Sequence, residues 1–185
     1  YGDFHNLSAS FLLEYNENIY TDLFASARGF PSPSIPYQDV AAEATASGST
    51  EERRILFSQG LFVDYDYDGK YILSGSVRRD GSSRFGPDNK YGYFYSGSAA
   101  WNIARESFMD GSFVNDLKLR ASYGTSGNQN IGDFNYLNLL QFNTYNGNTT
   151  AIPIGVGNPN IQWESQAILD IGVEFGLFNN RITGV

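Results

Sequence analysis

The sequence predicts an all-β protein, an antiparallel segment of a transmembrane β-barrel with about seven strands and long extracellular loops. Three observations predict it. Apolar and polar residues alternate with period two over segments about as long as a tilted membrane strand needs, roughly 9–11 residues. The connectors between these segments alternate between short and long. The composition favours strands, with 13 Tyr, 14 Phe, 20 Gly and a single Met in 185 residues.

The first strand is predicted at about Phe4–Tyr15, with Leu7, Ala9, Phe11, Leu13 and Tyr15 on one face. Residues 16–55 read as a long connector, because "GFPSPSIP" and "AAEATASGSTEE" are rich in Pro, Ser, Ala and Gly; a short helix is expected near Tyr37–Thr45. Loops of such length usually serve function or motion. A second strand, Leu56–Tyr67, sets Leu61, Val63, Tyr65 and Tyr67 against Asp64 and Asp66. "DGK" (68–70) is a tight turn, since Asp-Gly supplies the positive φ that hairpins require. The third strand, Tyr71–Asp80, alternates Tyr71, Leu73 and Val77 with Ser74, Ser76 and Arg78.

"GSSRFGPDNK" then separates this strand from a fourth at Gly92–Ile103, where Tyr93, Tyr95, Ala99, Trp101 and Ile103 share a face. Residues 104–116 read as a short helical turn and a link. The fifth strand, Leu117–Thr125, opposes Leu117, Leu119, Ala121 and Tyr123 to Lys118, Arg120 and Ser122. Residues 126–161 are Asn- and Gly-rich, with an excursion strand expected at Phe134–Phe142. A sixth strand, Gln162–Leu177, carries Leu169, Ile171, Val173, Phe175 and Leu177 on one face, and "FNNR" (178–181) turns the chain into a seventh.

Short turns at one end, long loops at the other, and strands with one apolar face are what a barrel in lipid requires, because every backbone polar group must be paired within the protein. A soluble antiparallel sandwich also alternates, so a secreted β-sandwich carbohydrate-binding module is the alternative. No run of about 18 apolar residues occurs, which excludes a transmembrane helix and not a barrel. The net charge of −8 argues against nucleic acid as a partner. Cysteine is absent, so no disulfide or thiolate metal site holds the fold. The chain opens within a strand pattern without Met and stops just after a turn, which predicts a piece of a longer protein.

The chemical motifs are weak. "DYDYDG" (64–69) matches the start of an EF-hand loop, but its twelfth position is Gly75 rather than Glu. His5 is the only histidine, too few for a triad or a His-based zinc site. Asp170 and Glu174 stand four apart on one strand face, roughly 13 Å by strand rise, too far for a glycosidase pair. No catalytic residue, metal site or cofactor is expected, and the chain is not read as an enzyme. Tyr93, Tyr95 and Trp163 are expected at the outer membrane–water boundary, and Trp101 with Phe108 at the inner one. Phe134, Tyr136 and Tyr145, in the long loop, are the candidate ligand-binding aromatics.

Three blocks carry a resemblance: "GKYILSGSVRRDGSSRFGPDNKYGYFYSGSAAWNIARESFM", "LKLRASYGTSGNQNIGDF" and "GNPNIQWESQAILDIGVEFGLFNNRITGV". In this order they resemble the C-terminal half of the barrel in the SusC/RagA family of TonB-dependent outer-membrane transporters, over about residues 56–185. "YFYSGSAAW" departs from the family where a Pro usually follows the Phe and a Gly precedes the Trp, which affects Tyr95 and Ala100. The resemblance implies a barrel of roughly 22 strands in the bacterial outer membrane. It implies import of oligosaccharides or peptides with a SusD-like surface lipoprotein as lid, driven by the TonB complex through a plug. On this reading residues 1–185 are part of the barrel domain, and the plug and the TonB-contacting segment are absent from them. If 68–70 and 178–181 are periplasmic, strand parity puts 81–91 and 126–161 outside, and 134–142 cannot be a single membrane pass.

Overall fold

A computed structural model describes residues 4–185. It contains nine strands and short 3-10 turns. The strands are β1 (His5–Arg28), β2 (Glu43–Tyr67), β3 (Tyr71–Ser82), β4 (Tyr91–Asn102), β5 (Val114–Asn128), β6 (Leu139–Tyr145), β7 (Asn148–Gly155), β8 (Glu164–Leu177) and β9 (Ile182–Gly184). Seven form one sheet in the order β1-β2-β3-β4-β5-β8-β9, and β6 with β7 forms a separate pair. The chain divides into two units, residues up to 15 with 56–185, and residues 16–55.

Within the first unit, every sheet pairing from β2 to β9 is antiparallel. The register brings like residues together across strands. One row reads Val63, Gly75, Gly97, Tyr123, Leu169, and the next Tyr65, Leu73, Ala99, Ala121, Ile171. On the opposite side a row reads Asp64, Ser74, Ser98, Ser122, Asp170. The two-residue period of the pleat therefore sorts chemistry by face, and a slip of one residue would reverse it.

The short turns follow from local chemistry. Asp68 and Gly69 have φ of 55° and 62°, the left-handed pair of a type I′ turn, closed by Lys70 N–H donating to Tyr67 O at 2.8 Å. The Asp66 carboxylate accepts the Gly69 N–H at 3.0 Å, so "DYDYDG" is a hairpin whose second aspartate braces its own turn. In the 178–181 turn, Phe178, Asn179 and Asn180 all take positive φ, and Asn115 Oδ1 accepts the Asn179 N–H at 2.6 Å. Residues 103–105 and 107–109 form two 3-10 turns between β4 and β5.

Three expectations are corrected. Most of 16–55 is strand: β1 continues to Arg28 and β2 begins at Glu43, leaving 29–42 as the connector. In place of a helix near Tyr37–Thr45 there is one 3-10 turn, Gln38–Val40. The second unit, taken alone, is a two-stranded extension with Arg28 and Glu43 paired at 2.7 Å. Residues 43–54 lack an apolar face, and in 16–28 Ile19 and Leu23 fall on one face while Tyr20 and Phe24 fall on the other, so no clean period-two signal marks either stretch. The excursion strand of 134–142 is also displaced. The strand begins at Leu139 and is half of a hairpin, whose tip Asn146–Gly147 has φ of 48° and 78°. β5 pairs directly with β8, so the parity of the main sheet is kept across this insertion.

Candidate functional site

The site is the wall itself: two faces and two ends. The face of Leu61, Leu73, Val77, Tyr95, Tyr123, Leu169, Ile171 and Val173 is apolar and open to its surroundings. Leu169 is 64% exposed and Ile171 77%, where a soluble sheet would bury such residues. A contiguous apolar surface of this extent marks contact with lipid or with protein.

The other face is hydroxylic and charged. Ser74, Ser76, Ser96, Ser98 and Ser122 line a groove of about 470 Å³, and Ser76 and Ser96 join side chain to side chain at 2.7 Å. Nearer the short turns, Lys118, Arg120, Asp170 and Glu174 line a second hollow, with Arg120 beside Glu174 at 3.5 Å. Glu174 is thus engaged with a cation, while Asp170 stands opposite Ser122. His5 hydrogen-bonds Tyr65 Oη at 2.8 Å and packs on Tyr67 with ring centres 4.7 Å apart.

At the end bearing the long loops, on the side of Phe94, the wall carries an aromatic cluster. Trp163 packs on Phe85 (5.0 Å) and edge-on against Phe94 (5.6 Å), both nearly fully buried. Its indole N–H donates to Lys90 O at 3.2 Å. A Cβ at Gly127 or Gly92 would strike the Phe94 ring, so these glycines make room for the cluster. The loops are tied by Arg84, which pairs with Asp133 at 3.3 Å and donates to Gln129 O, and by Asn89 donating to Pro159 O. Asp80, 3% exposed, pairs with Arg78 at 2.8 Å.

The boundary aromatics fall into different settings. Tyr93 and Tyr95 lie on the apolar face, 69% and 53% exposed. Trp163 does not join them; it packs against Phe94, on the opposite face. Trp101 lies at the short-turn end, stacked on Tyr71 (6.3 Å, 13°), with Phe108 exposed nearby in the chain. Of the loop aromatics, Tyr145 stands at the hairpin tip, 77% exposed, Phe134 sits in a turn with φ of 61°, and Tyr136 lies against Gly86. The structure does not gather these three into one pocket.

At the short-turn end, Glu106 is a junction that sequence reading missed. Tyr71 Oη donates to its Oε1 at 2.7 Å and Trp101 Nε1 donates to the same oxygen at 3.0 Å. These hydrogen bonds hold the Glu106 carboxyl below the usual carboxylate range, with Lys70 adding in the same direction. A depressed value in the folded state means the fastening is complete at neutral pH and is lost as pH falls through that lowered value. Glu106→Gln is expected to abolish this acid-dependent loosening, read as hydrogen exchange of 103–109 against pH. An identical pH profile in the variant would count against it.

A sheet with one uncovered apolar face, one hydroxylic face and its connectors segregated by length is the wall of a transmembrane β-barrel. The family described as TonB dependent receptor-like, beta-barrel matches residues 1–184, and the chain belongs to it. It is 35% identical over 96% of its length to TonB-dependent receptor P3 of Formosa agariphila, and 33% identical over 91% to TonB-dependent receptor SusC of Bacteroides thetaiotaomicron. It spans 18% and 17% of those relatives. Among solved structures, the RagAB peptide transporter superposes with TM-score 0.89 at 30% identity, over 98% of this chain and 21% of that one. The RagAB peptide importer in its 'closed-closed' state gives 0.90 at 29%, over 99% and 21%. The segment is thus placed within the barrel of this family, and the sandwich alternative is set aside.

Proposed function

We propose that the chain is a stretch of barrel wall, with extracellular loops, in a TonB-linked importer of the bacterial outer membrane. The observation that carries the reading is the uncovered apolar face continuous across β2, β3, β4, β5 and β8. The hydroxylic face then lines the lumen. The lumen-filling plug and the TonB-contacting segment are assigned to sequence outside these residues. A SusD-like surface lipoprotein serves as partner and lid, and the cargo is an oligosaccharide or a peptide; the likeness to a transporter of peptides supports the latter. Tyr93 and Tyr95 face the outer headgroup level and Trp101 the inner one, while Phe134, Tyr136 and Tyr145 are the cargo-facing aromatics.

Sidedness tests this: these 185 residues contain no cysteine, so each introduced one is read against the full-length protein without it. In the full-length protein, Asn89→Cys and Tyr145→Cys are expected to react with a membrane-impermeant maleimide on intact cells. Asn179→Cys is expected to react only after lysis, and cargo is expected to protect Tyr145→Cys. Labelling of Asn179→Cys on intact cells would overturn the orientation. Uptake that survives loss of TonB would overturn the energy coupling.

A further inference from the structure

The apolar face carries one charged side chain within its five cross-strand rows, and it lies at the edge. The rows run from Gln59–Arg79–Tyr93 down to Tyr67–Tyr71–Trp101–Leu119–Val173, and Arg79 is the sole charge in them. Its neighbours in sequence have partners: Arg78 is paired with Asp80 on the other face, and Arg84 with Asp133. Arg79 has no carboxylate among the described residues; its single oxygen partner is Gln59 Oε1 at 3.5 Å, and its Nε has none. The guanidinium carbon instead lies over the Tyr91 ring, 3.8 Å from its centre, and 5.9 Å from the centre of Tyr93.

Stacking uses the face of a guanidinium and leaves its edge of N–H donors in plane, the geometry that grips two oxygens of a phosphate at once. Beside it, Phe11, Leu61, Val77, Tyr93 and Tyr95 line an almost wholly apolar groove of about 330 Å³, to whose lining Arg79, Arg78 and Gln59 also belong. A cation beside an apolar groove, at the boundary level of tyrosines, matches one amphiphile: an acyl chain for the groove and an anionic headgroup for the cation. An arginine deep in hydrocarbon is costly, whereas at the interface it is tolerated, and that is where lipid phosphates lie. We propose that Arg79 and this groove form a binding site for a phosphorylated lipid of the outer leaflet. The inference rests on the wall reading above, including its orientation.

The test uses the full-length protein in nanodiscs, with native mass spectrometry counting retained lipid. Bisphosphorylated lipid A is the probe, and dephosphorylated lipid A and inorganic phosphate are the comparators. The unmodified protein is expected to retain the phosphorylated form at least about tenfold over Arg79→Gln, as for loss of a charge-assisted bidentate pair. Arg79→Lys is expected to retain an intermediate amount. Lys118→Gln, on the opposite face, is expected to match the unmodified protein, and heat-modifiable gel migration confirms that each variant is folded. Equal retention by Arg79→Gln, or equal retention of dephosphorylated lipid A, would overturn the site. Displacement of the lipid by inorganic phosphate would show a free-anion site instead. Loss of a co-purifying lipoprotein from Arg79→Gln with lipid unchanged would show a protein contact instead. If the cysteine labels report the proposed orientation while lipid retention is unaffected, the lipid site alone fails.

Discussion

Leu169→Arg is expected to destabilise the folded barrel by about 2–4 kcal/mol, the range for a cation at the bilayer midplane on a lipid-facing strand. Leu169 lies in the third of the five rows, opposite Tyr123 and level with Gly97, Gly75 and Val63. Ser122→Arg places the same side chain one residue from Tyr123 but on the hydroxylic face, opposite Asp170. It is expected to shift stability by less than about 1 kcal/mol, as for a partly solvated pair. Urea unfolding in lipid vesicles measures both in the full-length protein. The contrast matters more than either number. Equal losses at the two positions would mean that neither face meets lipid, and the wall reading would fall.

Trp163→Ala is the second large effect, and it is local. Trp163 joins Phe85 in the 83–90 loop to Phe94 on β4 and anchors the return into β8. Truncating a buried aromatic costs roughly 3–5 kcal/mol. Trp163 is half-buried, so about 2–3 kcal/mol of local opening free energy is expected to go. Hydrogen exchange in 83–90 and 156–163 is expected to accelerate by one to two orders of magnitude, on the order set by that energy. The β3–β4 ladder is expected to keep its protection, since its register does not depend on the indole. Trp163→Phe restores most of the effect if packing is the cause. If exchange accelerates evenly along β3 and β4 instead, the cluster is part of the wall's own core and the loop account is wrong.

The contrast between these positions shows what a sequence reveals of such a protein. The wall is legible because lipid imposes the pattern locally: Leu73, Ser74, Gly75, Ser76 and Val77 declare their faces through their neighbours alone. The Asp68–Gly69 turn is equally local. Beyond the wall that constraint lapses. Through 43–54 the residues are small, hydroxylic or charged on both sides, and through 16–28 the large apolar residues fall on both faces, Ile19 and Leu23 on one and Tyr20 and Phe24 on the other, so pairing leaves no clean periodic mark. The β6–β7 hairpin did leave one, the Asn146–Gly147 pair between two Thr- and Asn-rich runs, which points to a turn at 146–147 rather than to a strand centred on 138.

The candidate site divides along the same line. The faces of Tyr93, Tyr95 and Trp101 follow from alternation. The position of Trp163 depends on a contact with Lys90 across 73 residues of chain, and that of Glu106 on two donors that arrive from β3 and β4. "RRDG" is a mixed case. Alternation sends Arg78 inward and Arg79 outward, but the sequence does not tell that Asp80 neutralises the first while two tyrosines cradle the second.

The direct pairing of β5 with β8 has a further consequence. Fourteen residue pairs from Val114↔Leu177 to Asn128↔Glu164 join β5 to β8, and none of residues 129–163 belongs to that ladder. The intervening hairpin hangs on the barrel like an attachment on a fixed rail. It can be lengthened, shortened or exchanged while each wall residue keeps its register, and a longer loop adds only a slowly growing closure cost. A lineage can therefore remodel this loop without re-solving the register of the wall beneath it.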